Sequence, residues 1–471
     1  MTKEKYDLCV IGAGSGGLSV AAAAVAFGAK VVLIEKDKMG GDCLNVGCVP
    51  SKAFIAASKK AYAYHDAEKF GIFYQKPKVD FNKVQVHVAD VIGSIAPHDS
   101  VERFEGLGVK VIKGTASFVD KKTVMVNADI IKAKHFVIAT GSRPAIPPIT
   151  GLDKVDYFTN ENIFELKTQP KHLIVIGGGP IGMELAQAYN RLGSKVSVIE
   201  KFSALAKDDA ELTRIALDNI KSEGVEIFEN TEIEKIEKKD NQIVVFTDEG
   251  KQITGSHLLI ATGRAKNVES LNLEEAGVEF DRAGIKTNAW LITSNKKIFA
   301  IGDVIHGLQF THVAGYQASL VVKKAVFGLG AKVNNDIIPW VTYCDPEIAN
   351  VGLSEEQAKA RFGDGYRIAR WKFAENDRAK AMRDKNGLVK LIIGKKGKIL
   401  GCAIVGSNAG ELISLFSFAI ANNLKVSSLV KFIAPYPTYS EIAKRVGVES
   451  YKDQLSNPWL KRWVKLIRLL T

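Results

Sequence analysis

The strongest constraint on the fold is a unit of strand, glycine-rich turn, helix and strand that occurs twice. In the first copy, a buried strand, a tight turn, an alanine-rich helix and a second strand are predicted at residues 6–11, 12–17, 18–27 and 30–34. The second copy follows about 165 residues later, at residues 173–176, 177–182, 183–191 and 195–199. Such βαβ units build parallel sheets that bind nucleotides at the turn. The repeat therefore predicts two nucleotide-binding domains of the Rossmann type.

The ends of the two copies and the region after them complete the predicted architecture. An Ala-Thr-Gly turn closes each copy, within residues 136–143 and 258–264. After Asp303 the pattern changes, and Pro339 opens a series of strand-like runs with helices between them. This pattern is typical of an α+β domain. The predicted fold class is α/β, with two Rossmann-like domains and a C-terminal α+β domain.

Composition excludes several classes of protein. The 471 residues exceed what one hydrophobic core usually organises. Apolar stretches such as 18–29 and 412–421 are shorter than the roughly 20 residues that span a bilayer, and a signal-peptide core is not recognised before residue 12. We therefore expect a cytoplasmic protein. The formal net charge is +12, and four of these charges lie in the last thirteen residues, so the positive excess is partly a property of the C-terminal tail. No nucleic-acid-binding motif accompanies the charge, and nucleic acid is therefore not an expected partner.

Both glycine turns match the fingerprint of a dinucleotide site, in which the backbone approaches a pyrophosphate at a helix N-terminus. The glycines are Gly12, Gly14 and Gly17 in the first turn and Gly177, Gly179 and Gly182 in the second. A glutamate follows each turn by eighteen residues, at Glu35 and Glu200, where a carboxylate accepts from ribose hydroxyls. Glu200 would repel the 2′-phosphate of NADPH, which favours NADH, although the neighbouring Lys201 acts against this preference.

Cys43 and Cys48 lie in the segment Gly40-Gly-Asp-Cys-Leu-Asn-Val-Gly-Cys-Val-Pro-Ser-Lys52. The four residues between them can close a small ring if the chain turns at Gly47. Two buried thiols are one alternative. Half of a zinc site is another, but the chain offers no second Cys/His pair at ligand spacing, so no resident metal is predicted. The remaining cysteines are expected to be core thiols, at Cys9 and Cys402, or structural, at Cys344.

The chain resembles the pyridine nucleotide-disulfide oxidoreductases. The resemblance is carried by this cysteine segment, by both glycine fingerprints, by both Ala-Thr-Gly turns and by Ile301-Gly-Asp303. Members of that family include dihydrolipoamide dehydrogenase, glutathione reductase and mercuric reductase. The resemblance extends from Tyr6 to about Glu441. It implies an FAD-binding domain at 1–150 and 281–335, an NAD-binding domain at 151–280 and a dimerisation domain at 336–455. The residue pattern itself predicts a basic amphipathic helix at 456–471.

The resemblance also implies roles for individual residues. The first fingerprint would bind FAD and the second NAD. Further cofactor contacts would be made by Lys52, Ala116, Thr140, Gly141, Glu184, Gly263, Asp303 and Thr311, with Asp303 on the ribityl chain of FAD. Electrons from NADH would pass through FAD to the disulfide at Cys48, and Cys43 would be the interchange thiol. Lys52, paired with Glu184, would lie near the flavin and stabilise negative charge on the reduced flavin and on the Cys48 thiolate; the alternative is a lone surface lysine.

The chain departs from the family near its C-terminus. Disulfide reductases of the family carry a His-Pro pair and a later glutamate, with which the partner subunit activates the interchange thiol. Here Tyr436 occupies the histidine position and Glu441 is present. A tyrosine, ordinarily protonated at neutral pH, chiefly donates a hydrogen bond, so efficient lipoamide or glutathione chemistry is in doubt. Mercuric reductases are similar in having a tyrosine in this region, but they need a C-terminal cysteine pair that is missing after Cys402. A packed dimer-interface aromatic is the alternative role for Tyr436.

Residues 458–470 predict a short helix with tryptophans on one side and basic residues on the other, which suits an anionic membrane surface or packing within the protein. Three functions follow. The first is a homodimeric NADH-dependent reductase in which electrons leave through Cys43 to a disulfide or thiol-bound metal. The second is a reductase at the flavin level, of quinones at the inner face of a membrane. The third is a redox-sensing flavoprotein with little turnover.

Overall fold

The computed structural model describes residues 5–452 and 458–470. Its strands, β1 to β23 in chain order, are Lys5–Ile11, Val31–Glu35, Lys110–Lys113, Ala116–Asp120, Thr123–Val126, Asp129–Ile138, Ser142–Pro144, His172–Ile176, Lys195–Ile199, Glu226–Phe228, Ile233–Lys239, Gln242–Thr247, Gln252–Gly255, His257–Ile260, Arg264–Lys266, Phe280–Asp281, Gly284–Ile285, Ile298–Ala300, Pro339–Thr342, Glu347–Gly352, Arg367–Lys372, Leu388–Ile393 and Ile399–Gly406.

The α-helices of the described part, α1 to α15 in chain order, are Ser15–Ala26, Gly41–Asn45, Cys48–Tyr62, Tyr64–Ala67, Phe81–Ile95, Val101–Gly106, Pro180–Arg191, Ala210–Ser222, Thr311–Phe327, Glu355–Phe362, Asp377–Ala381, Ala409–Ala421, Val426–Lys431, Glu441–Glu449 and Pro458–Leu470. Short 3₁₀ turns lie between some of them, and one of these, Gly302–Val304, carries Asp303.

The first unit is a sheet of order β3-β2-β1-β6-β5-β4, in which β18 also pairs with β6. Its central strands β3, β2, β1, β6 and β18 run parallel. The second half of β1, from Leu8 to Ile11, and all of β2 are buried, as expected for parallel strands that are covered on both faces of the sheet. Since β18 belongs to this sheet, the chain leaves the first unit after β6 and returns to it at Ile298.

The second unit repeats the parallel arrangement with the order β10-β9-β8-β14. In both units the strand ends come into register beside the glycine turn, with Ile11 opposite Ile34 and Ile176 opposite Ile199. The carboxyl ends of parallel strands form the edge at which open α/β sheets bind ligands. Both glycine turns therefore lie at binding edges.

The third unit is an antiparallel sheet of order β19-β20-β23-β22-β21. Helix α12 packs on β20 and β23, and the buried side chains of Ile413 and Phe416 lie in this core. The predicted fold class, with two Rossmann-like units and an α+β unit, is confirmed. The domain limits drawn from the sequence stay a prediction.

Two helix starts were predicted wrongly. Helix α1 begins at Ser15 rather than at residue 18, and α7 begins at Pro180 rather than at 183. The last glycine of each fingerprint lies inside the first helical turn and not in a preceding loop, because a pyrophosphate site needs the free N–H groups of that turn. The terminal helix α15 has the predicted start at Pro458. None of the helices in the described ranges has the length and apolar character needed to cross a membrane.

Candidate active site

The two glycine turns are shaped by one close backbone contact. A Cβ atom on Gly17 would lie 1.8 Å from the carbonyl oxygen of Gly12, and one on Gly182 would lie 2.0 Å from that of Gly177. Any side chain at either position would therefore push the helix away from the turn. The contact keeps the N-terminus of α1 or α7 pressed against the strand edge, where unpaired N–H groups attract an anion.

Glu35 and Glu200 hold equivalent positions beside these turns. One carboxylate oxygen of Glu35 accepts from the amide of Ala13 at 2.5 Å, and one of Glu200 accepts from the amide of Gly178 at 2.7 Å. Both glutamates are thus fixed at the rim of a turn, at the end of the second strand. Lys201 pairs with Glu232 at 2.5 Å rather than with Glu200.

The cysteine pair lies where two helices meet. Helix α2 ends at Asn45, α3 begins at Cys48, and Gly47 forms the link between them. A Cβ on Gly47 would lie 2.9 Å from the carbonyl oxygen of Asp42, so the tight link needs glycine because of a close approach. Both cysteines are free thiols in this structure, Cys43 half-buried and Cys48 exposed.

The two thiols differ in acidity. The Cys43 thiol donates a hydrogen bond to Cys48, and this contact, with smaller contributions from the Thr311 hydroxyl and the Lys52 charge, outweighs desolvation and lowers the pKa of Cys48 to about 6. The same hydrogen bond, together with burial, raises the pKa of Cys43 well above its usual value. The N-terminus of a helix also favours a thiolate. At neutral pH, Cys48 is therefore the thiolate and Cys43 keeps its proton.

Lys52 lies one helical turn after Cys48 and so shares its face of α3. Its ammonium is 2.8 Å from the carboxylate of Glu184, a buried residue of α7. Burial is the largest single influence and opposes the charge on Lys52, but the charge and hydrogen bond of Glu184, with smaller contributions from Cys48 and Tyr343, together raise the pKa of the lysine above its usual value. The interpretation of Lys52 as a lone surface lysine is therefore wrong.

Tyr343 completes this ion pair and was missed in the sequence. Its backbone amide donates to Glu184 at 2.8 Å, and its ring centroid lies 4.4 Å from the Lys52 ammonium. A cation over an aromatic face is attracted by the ring. No motif pointed to Tyr343, because the contact joins residues from different units of the chain.

Thr311, the first residue of α9, brings the returning part of the first unit to the cysteines. Its hydroxyl oxygen lies 3.5 Å from the sulfur of Cys48. Asp303 accepts a hydrogen bond from the Ser142 hydroxyl at 2.7 Å, and Ser142 in turn accepts from Arg264 at 2.7 Å. Arg264 was also missed, although its position after the second Ala-Thr-Gly turn, matching Ser142 after the first, was a usable signal.

The other predicted cofactor residues are Thr140, Gly141, Gly263 and Ala116. The Thr140 hydroxyl donates to the carbonyl of Asn267 at 2.7 Å. Gly141 and Gly263 have left-handed φ values of +70° and +149°, and the two turns are joined by pairing of β7 with β15. Ala116 is buried at the start of β4. Their roles as cofactor contacts stay predictions.

Tyr436 and Glu441 lie in the third unit. The hydroxyl of Tyr436 donates to Asp377 at 3.3 Å, and Glu441 forms an ion pair with Arg445 at 3.8 Å. Within the described residues of one chain, no hydrogen bond or ion pair joins either of them to the cysteines, to Lys52 or to Glu184. The tyrosine side chain is 69% exposed, which leaves it available to a second subunit.

The remaining cysteines are separate from this site. Cys9, Cys344 and Cys402 are buried, and desolvation raises the pKa of each thiol far above its usual value. They are core thiols with little reactivity. Within residues 5–452 and 458–470, no group of three or more His, Cys, Asp or Glu side chains is arranged to hold a metal ion.

Comparison with known proteins gave consistent matches over most of the chain. Residues 6–318 match the model of the pyridine nucleotide-disulphide oxidoreductases, and residues 338–446 match the dimerisation domain of the same family. A mercuric reductase from Lysinibacillus sphaericus is 36% identical over 96% of this chain and 84% of its own length. A dihydrolipoyl dehydrogenase from Geobacillus stearothermophilus is 36% identical over 93% of this chain and 94% of its own.

A solved structure is also similar. It is a Cu(II) complex of the HOCl-induced flavoprotein disulfide reductase RclA from Escherichia coli, with a TM-score of 0.83 and 27% identity over 93% of this chain and 98% of that chain.

Proposed function

The chain belongs to the pyridine nucleotide-disulphide oxidoreductase family and is an oxidoreductase, and from this premise we propose its specific reaction. It oxidises NADH, and the electrons pass through FAD to the Cys43–Cys48 disulfide and then to an acceptor that binds thiolates. That acceptor is a disulfide or a thiol-bound metal ion.

The observation that carries this proposal is the position of Cys48 at the start of α3, 3.5 Å from the Thr311 hydroxyl oxygen and one helical turn before Lys52 of the Lys52–Glu184 ion pair. Cys48 has a pKa of about 6, whereas the pKa of Cys43 is raised. A disulfide that opens at one end as a stabilised thiolate and at the other as a thiol is suited to accept an electron pair and one proton. Structural cysteines such as Cys402 have no such asymmetry, since burial alone raises the pKa of that thiol.

The residues present fit both cofactors that the family uses. The turn at Gly12 with Glu35, and Asp303 and Thr311 near the cysteines, would hold FAD. The turn at Gly177 with Glu200 would hold the nicotinamide nucleotide. The pairing of Lys201 with Glu232 leaves the Glu200 carboxylate as the charge at the ribose position, which favours NADH over NADPH.

The overall step balances as NADH and the disulfide giving NAD⁺, a thiol at Cys43 and a thiolate at Cys48, because the hydride removed from NADH carries the electron pair together with the proton. When bound, FAD supplies the chemistry that couples hydride removal from NADH to two-electron reduction of the disulfide. Lys52 and Thr311 stabilise the thiolate that forms at Cys48, while Glu184 holds the lysine in place. Cys43 takes up the proton and is the thiol that meets the acceptor, and it loses that proton as its sulfur bonds to the acceptor's disulfide sulfur or metal ion.

The acceptor side of the site would be completed in a homodimer. The chain carries the family's dimerisation domain, and we propose that Tyr436 and Glu441 of the partner subunit lie near Cys43. A tyrosine there donates a hydrogen bond and is a weak base at neutral pH, which favours acceptors that need no strong base, such as soft metal ions that bind thiolates directly.

We propose a cytoplasmic location.

A second candidate function is quinone reduction at the flavin level, without the disulfide. The exposed amphipathic helix α15 favours it, because such a helix suits a membrane surface where lipid-soluble acceptors lie.

Anaerobic titration of the purified protein with NADH tests the proposal. We expect one equivalent of NADH to produce two new thiols per chain, together with the long-wavelength absorbance of a thiolate beside the flavin. NADPH should require a higher concentration for the same effect. Steady-state NADH oxidation should then be measured with disulfides, Hg²⁺, Cu²⁺ and a quinone as acceptors.

The variant Cys43→Ser separates the two candidates, with Cys402→Ala as a matched control that also removes one cysteine. Under the proposal, turnover is lost in Cys43→Ser and retained in the control. Retained quinone turnover in Cys43→Ser, with no thiols formed in the wild type, would instead establish the second candidate. Turnover well below about 1 s⁻¹ with every acceptor would point to a redox sensor.

A further inference from the structure

Helix α15, Pro458–Leu470, carries a run of exposed side chains. Every side chain that the structure describes on this helix is exposed, with Trp463 at 61% and Leu470 at 79%. Large apolar side chains in such a position are a marker of an interaction surface. A helix of thirteen residues is about 20 Å long at about 1.5 Å per residue, so it is too short to span a bilayer of about 30 Å.

The side chains of α15 divide into two faces. Projected at about 100° per residue, the basic side chains fall within an arc of about 120°. They are Lys461, Arg462, Lys465 and Arg468. The opposite arc, about 100° wide in the same projection, is apolar. It contains Trp459, Trp463, Leu466, Ile467 and Leu470. Leu469 lies within the basic arc, and residues 458–470 contain no acidic residue.

We propose that α15 binds the surface of an anionic lipid bilayer, with its axis in the plane of the interface. The apolar arc would enter the boundary between headgroups and acyl chains, and the basic arc would face anionic headgroups. Tryptophan favours this boundary because its ring is apolar and its N–H is polar. Charge complementarity selects this occupant, since four cations and no anions face one side of the helix.

Other occupants would satisfy only one face. Nucleic acid would neutralise the basic arc and leave the tryptophans in water. A second copy of the chain, packed through its own α15, would cover the apolar arc but leave two clusters of four cations unneutralised. A lipid surface satisfies both faces at once. The inference does not rest on the proposed function, because binding can be measured without turnover.

Flotation of the full-length protein with vesicles tests the inference. We expect it to float with vesicles of phosphatidylcholine and phosphatidylserine in a 7:3 ratio, about as much anionic lipid as a charged leaflet carries. Binding to pure phosphatidylcholine should be at least tenfold weaker, and high salt should release the protein from anionic vesicles. These comparisons use the wild type and need no variant.

Two variants identify the helix as the cause. Lys461→Gln with Lys465→Gln should weaken anionic binding by about 25-fold, at about fivefold per basic residue. The matched control, Lys395→Gln with Lys396→Gln, removes the same charge from an exposed turn and should bind as the wild type does.

Three results would overturn the proposal. The first is equal or absent binding to the two lipid mixtures. The second is the absence of lipid binding in the wild type together with a double variant, Trp463→Ser and Leu470→Ser, that forms a smaller oligomer than the wild type in sedimentation velocity. This result would assign the apolar arc to contact with a second copy of the chain. The third is binding of a short DNA duplex that the lysine variant loses, again without lipid binding.

Discussion

Replacing Cys43 by alanine should raise the pKa of the Cys48 thiol. The hydrogen bond from Cys43 is the largest of the contacts that lower this pKa to about 6. A hydrogen bond to a charged group contributes about 1.5–3 kcal/mol, which corresponds to roughly 1–2 pKa units. Because Cys48 is exposed, water replaces part of the lost contact, and we expect a shift of about one unit.

The sign follows from the charge on the thiolate. In the wild type the Cys48 thiolate forms as the pH rises through about 6, so at pH 7 about nine-tenths of it is ionised. In Cys43→Ala the midpoint moves to about 7, where half is ionised. Cys43→Ser is the matched control, because its hydroxyl still donates a hydrogen bond and should retain part of the lowering.

The assay is the rate of alkylation of Cys48 by iodoacetamide between pH 5 and pH 9 in the reduced protein, followed on the Cys48 peptide by mass spectrometry. The midpoint of the pH profile is the readout rather than the rate at one pH, since a thiolate of higher pKa is also a better nucleophile. An unchanged or lower midpoint in Cys43→Ala would refute the assignment of Cys43 as the donor that acidifies Cys48.

Three further predictions concern the nucleotide turns and the ion pair. Gly182→Ala should destabilise the nucleotide-free protein by about 1–3 kcal/mol through steric overlap. In the control Gly179→Ala, no atom lies within 4 Å of the added carbon, so the denaturation midpoint should not change. Equal midpoints for the two variants would contradict the steric argument. Glu200→Arg should move the ratio of kcat/KM for NADH over NADPH towards NADPH by at least about tenfold in steady-state assays, and an unchanged ratio would remove Glu200 from ribose recognition. Lys52→Met should slow NADH-dependent thiol formation by on the order of 10²-fold in rapid-mixing experiments, while Lys59→Met on the same helix should not; equal rates would make the Lys52 ion pair structural only.

Local patterns in the sequence predicted the nucleotide-binding framework. The glycine spacing and the alternation of strand and helix depend on residues close in the chain, so both βαβ units were predictable. Helix α15 was predicted for the same reason, since Pro458 begins it and its two faces follow helical spacing. The starts of α1 and α7 were not predicted correctly, because a glycine in the first turn of a helix cannot be distinguished from a loop glycine by the residue pattern alone.

Contacts between distant units were less predictable. The pairing of Glu184 with Lys52 could be predicted only from the family resemblance, because 132 positions separate the two residues in the chain. Tyr343 reaches Glu184 through its backbone amide, a group that every residue except proline carries, so no side-chain pattern marks it. The difference in acidity of Cys43 and Cys48 depends first on the contact between the two thiols and then on Thr311 and Lys52, and the spacing of the cysteines alone does not determine this geometry.

The ion pair between Lys52 and Glu184, with Tyr343 beside it, also joins the three units of the chain. Lys52 comes from the first unit, Glu184 from the second and Tyr343 from the start of the third. A chain that ends before α7 has the cysteines but lacks the carboxylate that orients Lys52, and it also lacks β18 and Thr311 of its own first unit. The redox centre is thus completed only when all three units have docked, and we expect a chain that lacks the second or third unit to hold Lys52 less firmly beside Cys48.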